Sequence, residues 1–335
     1  MKVAARFCLR VSALTAILLS AIIGSMWLAM IRMPGKSWRG PLPELTGAQA
    51  TLRDELSADV TVLATRIGER NLYRHDNLDA AAIYLETQLA EAGYDVSRQE
   101  FEVTGRTCVN LAAELPGTDR PDEIVVVGAH YDSVAGCPAA NDNGTGVAAT
   151  LALARRMRDH EPARTVRFVF FVNEEPPWFQ TPDMGSVVYA TACRQRGDNV
   201  VAMLSLETIG YYDDDKGSQR YPPPVGLFYP SQGNFIAFVG NYRSRRLVRR
   251  AVGVFRRHAQ FPCEGAALPA IVPGVGWSDH WAFWQQDYMA LMVTDTAPFR
   301  YPDYHLTTDT PDKLNFARTA RVVEGIEAVV RELAE

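Results

Sequence analysis

Residues 123–146 read EIVVVGAHYDSVAGCPAANDNGTG, an apolar run followed by a loop of small and polar residues. The run EIVVVGAH (123–130) is continuously apolar, which is typical of a strand that is buried on both faces. Glycine and asparagine suit a turn. A turn alone does not explain why His130 and Asp132 lie two positions apart, or why Asp142 follows where a helix is predicted to begin. We therefore expect a buried strand whose end carries functional groups.

The alternation of buried strand and helix continues along the chain. Further apolar runs predict strands, and helical periodicity predicts the helices around them. This alternation predicts an α/β fold, a three-layer sandwich with a mostly parallel central sheet. The further predicted strands are TVRFVFFVNEE (165–175), VVAMLSLE (200–207) and YMALMVTDT (288–296), and the predicted helices are 51–68, 78–92, 145–160, 244–258 and 312–334.

The N-terminus predicts a membrane anchor. Residues 11–31 carry no charge, and this length can cross a bilayer core of about 30 Å as a helix. The segment lacks a clear small-residue cleavage site, which favours an uncleaved anchor over a signal peptide. Basic residues flank it on both sides, so the charges do not set its orientation. Because a large domain follows one N-terminal anchor, we expect a single-pass membrane protein with that domain outside the cytoplasm.

This organisation divides the chain into three parts. Residues 1–32 are predicted to be a cytoplasmic tip and transmembrane anchor. Residues 33–50 contain Pro and Gly and are predicted to be a linker. Residues 51–335 are predicted to form one folded domain. The sequence does not predict an oligomeric state.

Composition and cysteine usage narrow the range of partners. The net charge is -5, and no basic patch with interleaved aromatic residues is present, so we expect no nucleic-acid partner.

One of the five cysteines, Cys8, lies at the edge of the predicted anchor. The other four can pair if the domain is extracytoplasmic, with three connectivities open. These four are Cys108, Cys137, Cys193 and Cys263.

Polar side chains follow each predicted strand at its carboxyl end. In parallel α/β sheets this edge is where ligands bind. One such side chain alone is usually a solvated polar group, but their coincidence at several strand ends predicts a single site. The side chains are His130 after the first strand, Glu174 and Glu175 after the second, Glu207 after the third, His305 in the loop after the fourth, and Asp142 at the first helix.

Six short motifs resemble the successive motifs of the M28 zinc peptidases. That family contains aminopeptidases and, as a divergent branch, glutaminyl cyclases. The resemblance covers roughly residues 60–320 and implies that 51–335 is a metallopeptidase domain with a zinc-exopeptidase-like fold. The motifs are HYDS (130–133), NDNGTG (141–146), NEE (173–175), SLETIG (205–210), SDHWAFW (278–284) and YHLTTDT (304–310).

The resemblance also implies a ligand set for two zinc ions per chain, bridged by Asp142. It makes Glu174 the general base and Asp132 a partner that fixes the His130 ring. Many family members have Asp where this chain has Glu207, whose longer side chain still reaches a metal. The implied ligands are His130, Asp142 and Glu207 for one ion, and Asp142, Glu175 and His305 for the other.

The charges and ligand types agree with this reading. Two divalent ions carry +4, and three ligand carboxylates with a bridging hydroxide offset that charge. Nitrogen and oxygen ligands without thiolate suit zinc.

The implied function is that of a metal-dependent aminopeptidase, which acts on peptides with a free N-terminus. The alternatives are a glutaminyl cyclase-like transferase with one zinc and, from another class, a non-catalytic binding domain. The intact ligand set argues against the binding domain.

Some residues outside the ligand set also carry expectations. Residues 211–234 are too long and too rich in Pro and Gly for an ordinary connection, so they predict a functional loop. We expect this loop and the aromatic residues of 277–284 to line the side-chain pocket. Asp213–Asp215 is interpreted as a solvated turn rather than a calcium site. Asp279 and His280 are interpreted as structural hydrogen-bonding groups, and Cys137 is not interpreted as a ligand.

Overall fold

The structure is a computed structural model in which residues 24, 25, 27, 28 and 30–335 are described. Most of the predicted anchor, residues 11–31, lies outside the described residues. Among the residues that are described, no helix combines the length and the apolar character needed to cross a membrane.

Within the described residues, eight strands and eight α-helices form the domain. The strands are β1 (Val96–Val103), β2 (Arg106–Leu115), β3 (Arg120–His130), β4 (Arg164–Phe171), β5 (Asn199–Glu207), β6 (Ile236–Gly240), β7 (Cys263–Ala267) and β8 (Ala290–Thr294). The helices are α1 (Gly47–Thr61), α2 (His75–Glu91), α3 (Gly146–Met157), α4 (Gly185–Arg196), α5 (Arg245–His258), α6 (His280–Gln285), α7 (Ala297–Arg300) and α8 (Phe316–Ala334).

The strands form one mixed sheet in the order β1-β2-β4-β3-β5-β8-β6-β7. The four central strands β4, β3, β5 and β8 are parallel to one another. Strands β1 and β2 run antiparallel at one side, and β6 is antiparallel to β8 at the other. The prediction of a mostly parallel sheet is therefore correct for the centre and wrong for the flanks.

Helices cover both faces of the sheet, as a three-layer sandwich requires. Helices α1, α2, α3, α5 and α8 contribute to the larger apolar core on one face. Helices α4 and α6 contribute to the smaller core on the other face. The buried strands β3, β4 and β5 lack alternation because both of their faces are covered.

A glycine brings the first turn of α3 against the end of β5. A Cβ atom at Gly146 would lie 2.2 Å from the carbonyl oxygen of Leu206, closer than real atoms approach. The Asn143 side chain joins the same elements, because its Nδ2 donates to the Leu206 carbonyl at 2.8 Å. The loop that carries Asp142 is thus fixed against a neighbouring strand end.

The segment predicted to be a linker lies against the domain. Met33 is buried in the larger core. The hydroxyl of Ser37 accepts the backbone N–H of Cys263 on β7 at 2.9 Å. Arg256 on α5 donates to the carbonyl of Pro34 at 3.2 Å. These contacts attach the segment to one edge of the sheet.

The cysteines of the described chain are unpaired. Cys108, Cys137, Cys193 and Cys263 are all buried as free thiols. Burial raises the pKa of the Cys108 thiol to about 11. None of the three possible connectivities is present in this structure.

Candidate active site

Two groups of potential metal ligands meet at the carboxyl edge of the central strands. In the first, the Nε2 atom of His130 lies 3.3 Å from Oδ1 of Asp142 and 3.3 Å from Oε2 of Glu207. In the second, the Nε2 atom of His305 lies 3.0 Å from Oδ2 of Asp142 and 3.2 Å from Oε2 of Glu175. Within each group the ligand atoms lie within 4.8 Å of one another. Asp142 belongs to both groups through different oxygens.

Glu174 lies beside these groups without belonging to either. Its Oε2 atom is 3.8 Å from Nε2 of His130, and its side chain is buried. The structure therefore brings together all six residues that the sequence places at strand ends. It also separates the two adjacent glutamates, since Glu175 contacts His305 and Glu174 faces His130.

The chain turns sharply where it delivers these side chains. Asn173, Thr208 and His305 have φ angles of 59°, 47° and 60°, in the left-handed region that residues other than glycine rarely adopt. Asn173 precedes the glutamate pair and Thr208 follows Glu207 directly. Backbone of this kind clusters at functional sites. Here it redirects the chain at two strand ends and at the histidine itself.

Asp132 links the ends of two strands. Its Oδ1 atom accepts the backbone N–H of Glu174 and its Oδ2 atom that of Glu175, both at 3.1 Å. The same Oδ1 lies 3.4 Å from Nδ1 of His130, although that nitrogen makes no well-oriented hydrogen bond. The sequence predicts only the contact with His130. The structure shows that Asp132 also fixes the backbone of both glutamates.

Three further residues support the ligands, and sequence reasoning missed their roles. The carboxylate of Asp309 accepts the backbone N–H groups of Asn141 at 2.8 Å and of Asp142 at 3.1 Å. The hydroxyl of Ser278 donates to Oε2 of Glu207 at 2.8 Å. Asp309 lies in the motif YHLTTDT (304–310) and Ser278 in the motif SDHWAFW (278–284). Their positions in these motifs are the sequence signal that could have identified them as site residues.

Arg70 is the third, and no motif marks it. Its side chain is fully buried and donates to the carbonyl oxygens of Tyr131 at 2.6 Å, Pro138 at 2.7 Å and Ala139 at 3.0 Å. These bonds hold the loop between His130 and Asp142 in its folded path.

Burial and charge set the protonation of the site. Burial, reinforced by Asp142, raises the pKa of Glu175 to about 7. Burial also raises the pKa of Glu207 to about 7, although His130 opposes the rise. Burial lowers the pKa of His305, but its contacts with Asp142 and Glu175 outweigh burial and raise the pKa to about 10. Burial therefore disfavours the charged forms of these two glutamates, and a bound cation would stabilise those forms.

The ligand atoms fit zinc. The Nε2 atoms of His130 and His305 and Oε1 of Glu175 are buried without a well-oriented hydrogen bond to any described residue. Buried polar atoms without partners are costly in the absence of another ligand. Imidazole nitrogens combined with carboxylate oxygens are a zinc ligand set. His130 and Glu207 would hold one ion, Glu175 and His305 the other, and Asp142 both.

Without bound metal, the stability of the fold is expected to decrease as the pH rises from 5 to 8. The folded-state pKa values of Glu175 and Glu207 are about 7, against an ordinary value of 4.5. The stabilisation from each is therefore present below pH 4.5 and is lost as the pH rises through 7, by about 3 kcal/mol per group. Zinc binds the deprotonated ligands, so the zinc-loaded protein should show a weaker dependence.

Thermal denaturation at pH 5, 6, 7 and 8, with chelator and with zinc, checks this expectation. A zinc-free protein that is as stable at pH 8 as at pH 5 would contradict it.

The other residues singled out in the sequence lie as follows. His280 is buried and contacts the carbonyl of Val275 at 2.8 Å through Nε2, which agrees with a structural role. Asp279 is buried, and neither of its oxygens bonds to a described residue. Cys137 donates to the Leu306 carbonyl at 3.1 Å and belongs to neither ligand group. Asp214 and Asp215 are exposed, as a solvated turn requires.

An apolar cavity of about 100 Å³ opens beside Glu207. An engineered cavity of roughly 150 Å³ binds benzene, so this volume suits one amino-acid side chain. Tyr221 and Tyr229 from the 211–234 loop line it, together with Trp277. Both elements expected at the side-chain pocket therefore contribute residues to this cavity. Trp284, by contrast, is buried in the smaller core.

Comparison with known proteins identifies the family. Residues 110–330 match the sequence profile described as Peptidase family M28. The chain belongs to peptidase family M28. Protein YfbL of Escherichia coli (strain K12) is 36% identical to this M28 peptidase over 282 residues, which cover 82% of this chain and 86% of YfbL. Family membership makes the chain a zinc-dependent hydrolase of the peptidase class.

Solved structures share the fold. BSAP, a zinc aminopeptidase from Bacillus subtilis, superposes with a TM-score of 0.65 at 14% identity, covering 84% of this chain and 95% of BSAP. The Fimbriiglobus ruber glutaminyl cyclase superposes with a TM-score of 0.62 at 22% identity, covering 90% of this chain and 99% of the cyclase. An aminopeptidase and a glutaminyl cyclase are therefore both found among solved structures with this fold.

Proposed function

We propose that this M28 peptidase is an aminopeptidase that removes N-terminal residues from peptides with two zinc ions per chain. The observation that carries the proposal is Asp142, whose two oxygens each approach a different histidine. A carboxylate shared by two complete ligand groups suits two ions better than one. The printed title of BSAP as a zinc aminopeptidase supports the same reading.

The residues of the chain have distinct tasks in this reaction. Zinc held by the two ligand groups would supply a water of lowered pKa and would polarise the scissile carbonyl. Glu174 takes a proton from the attacking water and passes it to the leaving amine. Burial raises the pKa of Glu174 well above its usual value, which makes its carboxylate a stronger proton acceptor. Asp132 keeps the Glu174 backbone in place.

A glutaminyl cyclase-like activity with one zinc is the second candidate. The fold of the Fimbriiglobus ruber cyclase favours it only as a shared architecture. Two ligand groups around Asp142, rather than one, support the peptidase instead.

Metal analysis combined with a substrate panel separates the two candidates. The full chain is purified, its zinc is counted by elemental analysis, and it is offered aminoacyl-nitroanilides and a peptide with N-terminal glutamine. We expect two zinc ions per chain and release of nitroaniline. One tightly held zinc, with cyclisation of the glutamine peptide and no hydrolysis, would overturn the proposal.

We also propose that residues 11–31 anchor the enzyme in a membrane, with the peptidase domain outside the cytoplasm. The support is the uncharged length of that segment. Protease added to intact cells or spheroplasts should then digest the domain. Complete protection of the domain, or its recovery as a shortened soluble form, would argue against the anchor.

A further inference from the structure

One face of the sheet forms the floor of the cavity beside the candidate metal centre. Glu207 on β5 pairs in register with Thr294 on β8, Thr294 with Ala237 on β6, and Ala237 with Glu264 on β7. Residues paired in this way point to the same face of a sheet. All four line the cavity. The floor is therefore a row that begins at one glutamate, crosses two short side chains and ends at a second glutamate.

The length of this row suits a long side chain. Three strand spacings of about 4.8 Å separate Glu207 from Glu264, which gives roughly 14 Å between their backbones. The stem of a lysine spans roughly 6 Å from its Cα atom to its ammonium nitrogen. The Glu264 side chain extends into part of the remaining distance. A residue whose Cα lies near Glu207 can thus bring a terminal cation to Glu264, whereas a leucine side chain ends well short of it.

Arg256, Ser37 and Arg39 face the Glu264 carboxylate from outside the cavity. Arg256 approaches Oε2 of Glu264 at 3.3 Å, longer than the 2.7–2.9 Å typical of a strong ion pair. The shorter contact of Arg256 is with the carbonyl of Cys263, at 2.7 Å. Among the residues that line the cavity none is basic. On the cavity side Glu264 thus has no cationic partner, which a positively charged ligand would supply and an apolar ligand would not.

Aromatic rings form the walls around this row. Tyr221 and Tyr229 stack with ring centroids 5.9 Å apart, and Trp277 and Phe299 stack at 6.2 Å. The Tyr229 hydroxyl donates at 2.8 Å to the carbonyl of Gly265, the residue that follows Glu264. This hydrogen bond holds the Tyr229 ring close to that part of the chain. Aromatic faces pack against the methylene stem of a lysine or arginine and attract its cation. The aromatic walls and the Glu264 carboxylate at the far end of the cavity thus both suit a lysine or arginine side chain.

We propose that Glu264 makes this enzyme selective for peptides that begin with lysine or arginine. The side chain of the first residue would lie along the Thr294–Ala237 row, with its cation against the Glu264 carboxylate. The inference rests on the proposed function and adds the class of residue that is removed.

Substrates matched in shape test it directly. Norleucine has the stem of lysine without the ammonium group, so lysyl- and norleucyl-nitroanilide differ mainly in charge. The zinc-loaded full chain should hydrolyse the lysyl substrate with a kcat/KM roughly 10–100-fold higher, the usual effect of a hydrogen bond to a charged group. Glu264→Gln should remove most of that difference, because it should lower kcat/KM much more for the lysyl substrate than for the norleucyl substrate. Glu100→Gln, at an exposed position on β1, is the matched control.

Calorimetric binding of free L-lysine and L-norleucine supplies a second readout that does not depend on turnover. Stronger lysine binding by the wild type, reduced in Glu264→Gln, is the expected result. Equal kcat/KM for both substrates in the wild type overturns the inference even if the variant does not fold. Equal losses on both substrates in a folded Glu264→Gln also overturn it. Absence of hydrolysis on every aminoacyl substrate overturns the proposed function as well.

Discussion

Replacing Glu174 by glutamine is expected to lower kcat by roughly 10²–10⁴, the usual contribution of a general base. Glutamine keeps the shape of the side chain but accepts no proton from water. The ligand groups around Asp142 do not include Glu174, so zinc content should stay at the wild-type value. KM should change little. Steady-state kinetics and elemental analysis on the same preparation measure both quantities.

Glu175→Ala is the matched comparison, since it changes the neighbouring glutamate. It removes one of the three candidate ligands in the group formed by Asp142, Glu175 and His305, so zinc content should fall together with activity. The two variants should therefore fail in different ways. A Glu174→Gln protein with near-normal kcat, or one that loses zinc as Glu175→Ala does, would show that the roles of the pair are reversed or absent.

Asp142→Asn is expected to lower zinc content below one ion per chain and kcat/KM by at least roughly 10³-fold. The amide keeps the size of the carboxylate but removes the charge that would lie between the two ions. In the zinc-free chain burial would raise the pKa of Asp142, but the nearby imidazoles of His130 and His305 outweigh burial and hold this pKa below its usual range. The residue is thus a carboxylate at any working pH. Zinc titration and kinetics measure the two effects.

Asp215→Asn controls for loss of one negative charge, because Asp215 is exposed in the 211–234 loop. That variant should keep its zinc and its activity. An Asp142→Asn protein that retains two tightly bound zinc ions would exclude Asp142 as the shared ligand.

The strands that the sequence predicts are buried on both sides. Continuous apolar runs identify β3, β4, β5 and β8 because helices cover both of their faces. Two of the missed strands, β1 and β7, carry weaker patterns. β1 (VSRQEFEV) is an exposed edge with charged residues along it, and β7 (CEGAA) has five small or polar residues with no β-branched side chain. Their pairing is decided by neighbouring strands rather than by local sequence.

The candidate ligands could be predicted because each stands at a strand end inside a recognisable motif. The groups that hold them are harder to find. Arg70 acts through backbone carbonyl oxygens far along the chain, and such bonds require no particular residue type at the other end. The second role of Asp132, toward the glutamate backbone, likewise depends on how β3 and β4 lie together. Only the folded structure supplies those contacts.

The part of the cavity floor on β6 and β7 and the candidate metal ligands come from different stretches of the chain, which matters for protein engineering. Every candidate ligand lies within residues 130–207 or at His305, whereas β6 and β7 lie within 236–267. A library randomised at Ala237, Val239 and Ala266 would therefore change the shape of the cavity without replacing any ligand atom. Larger side chains there would shorten the cavity, so such a library offers a route to variants that trim different N-terminal residues with the same metal chemistry.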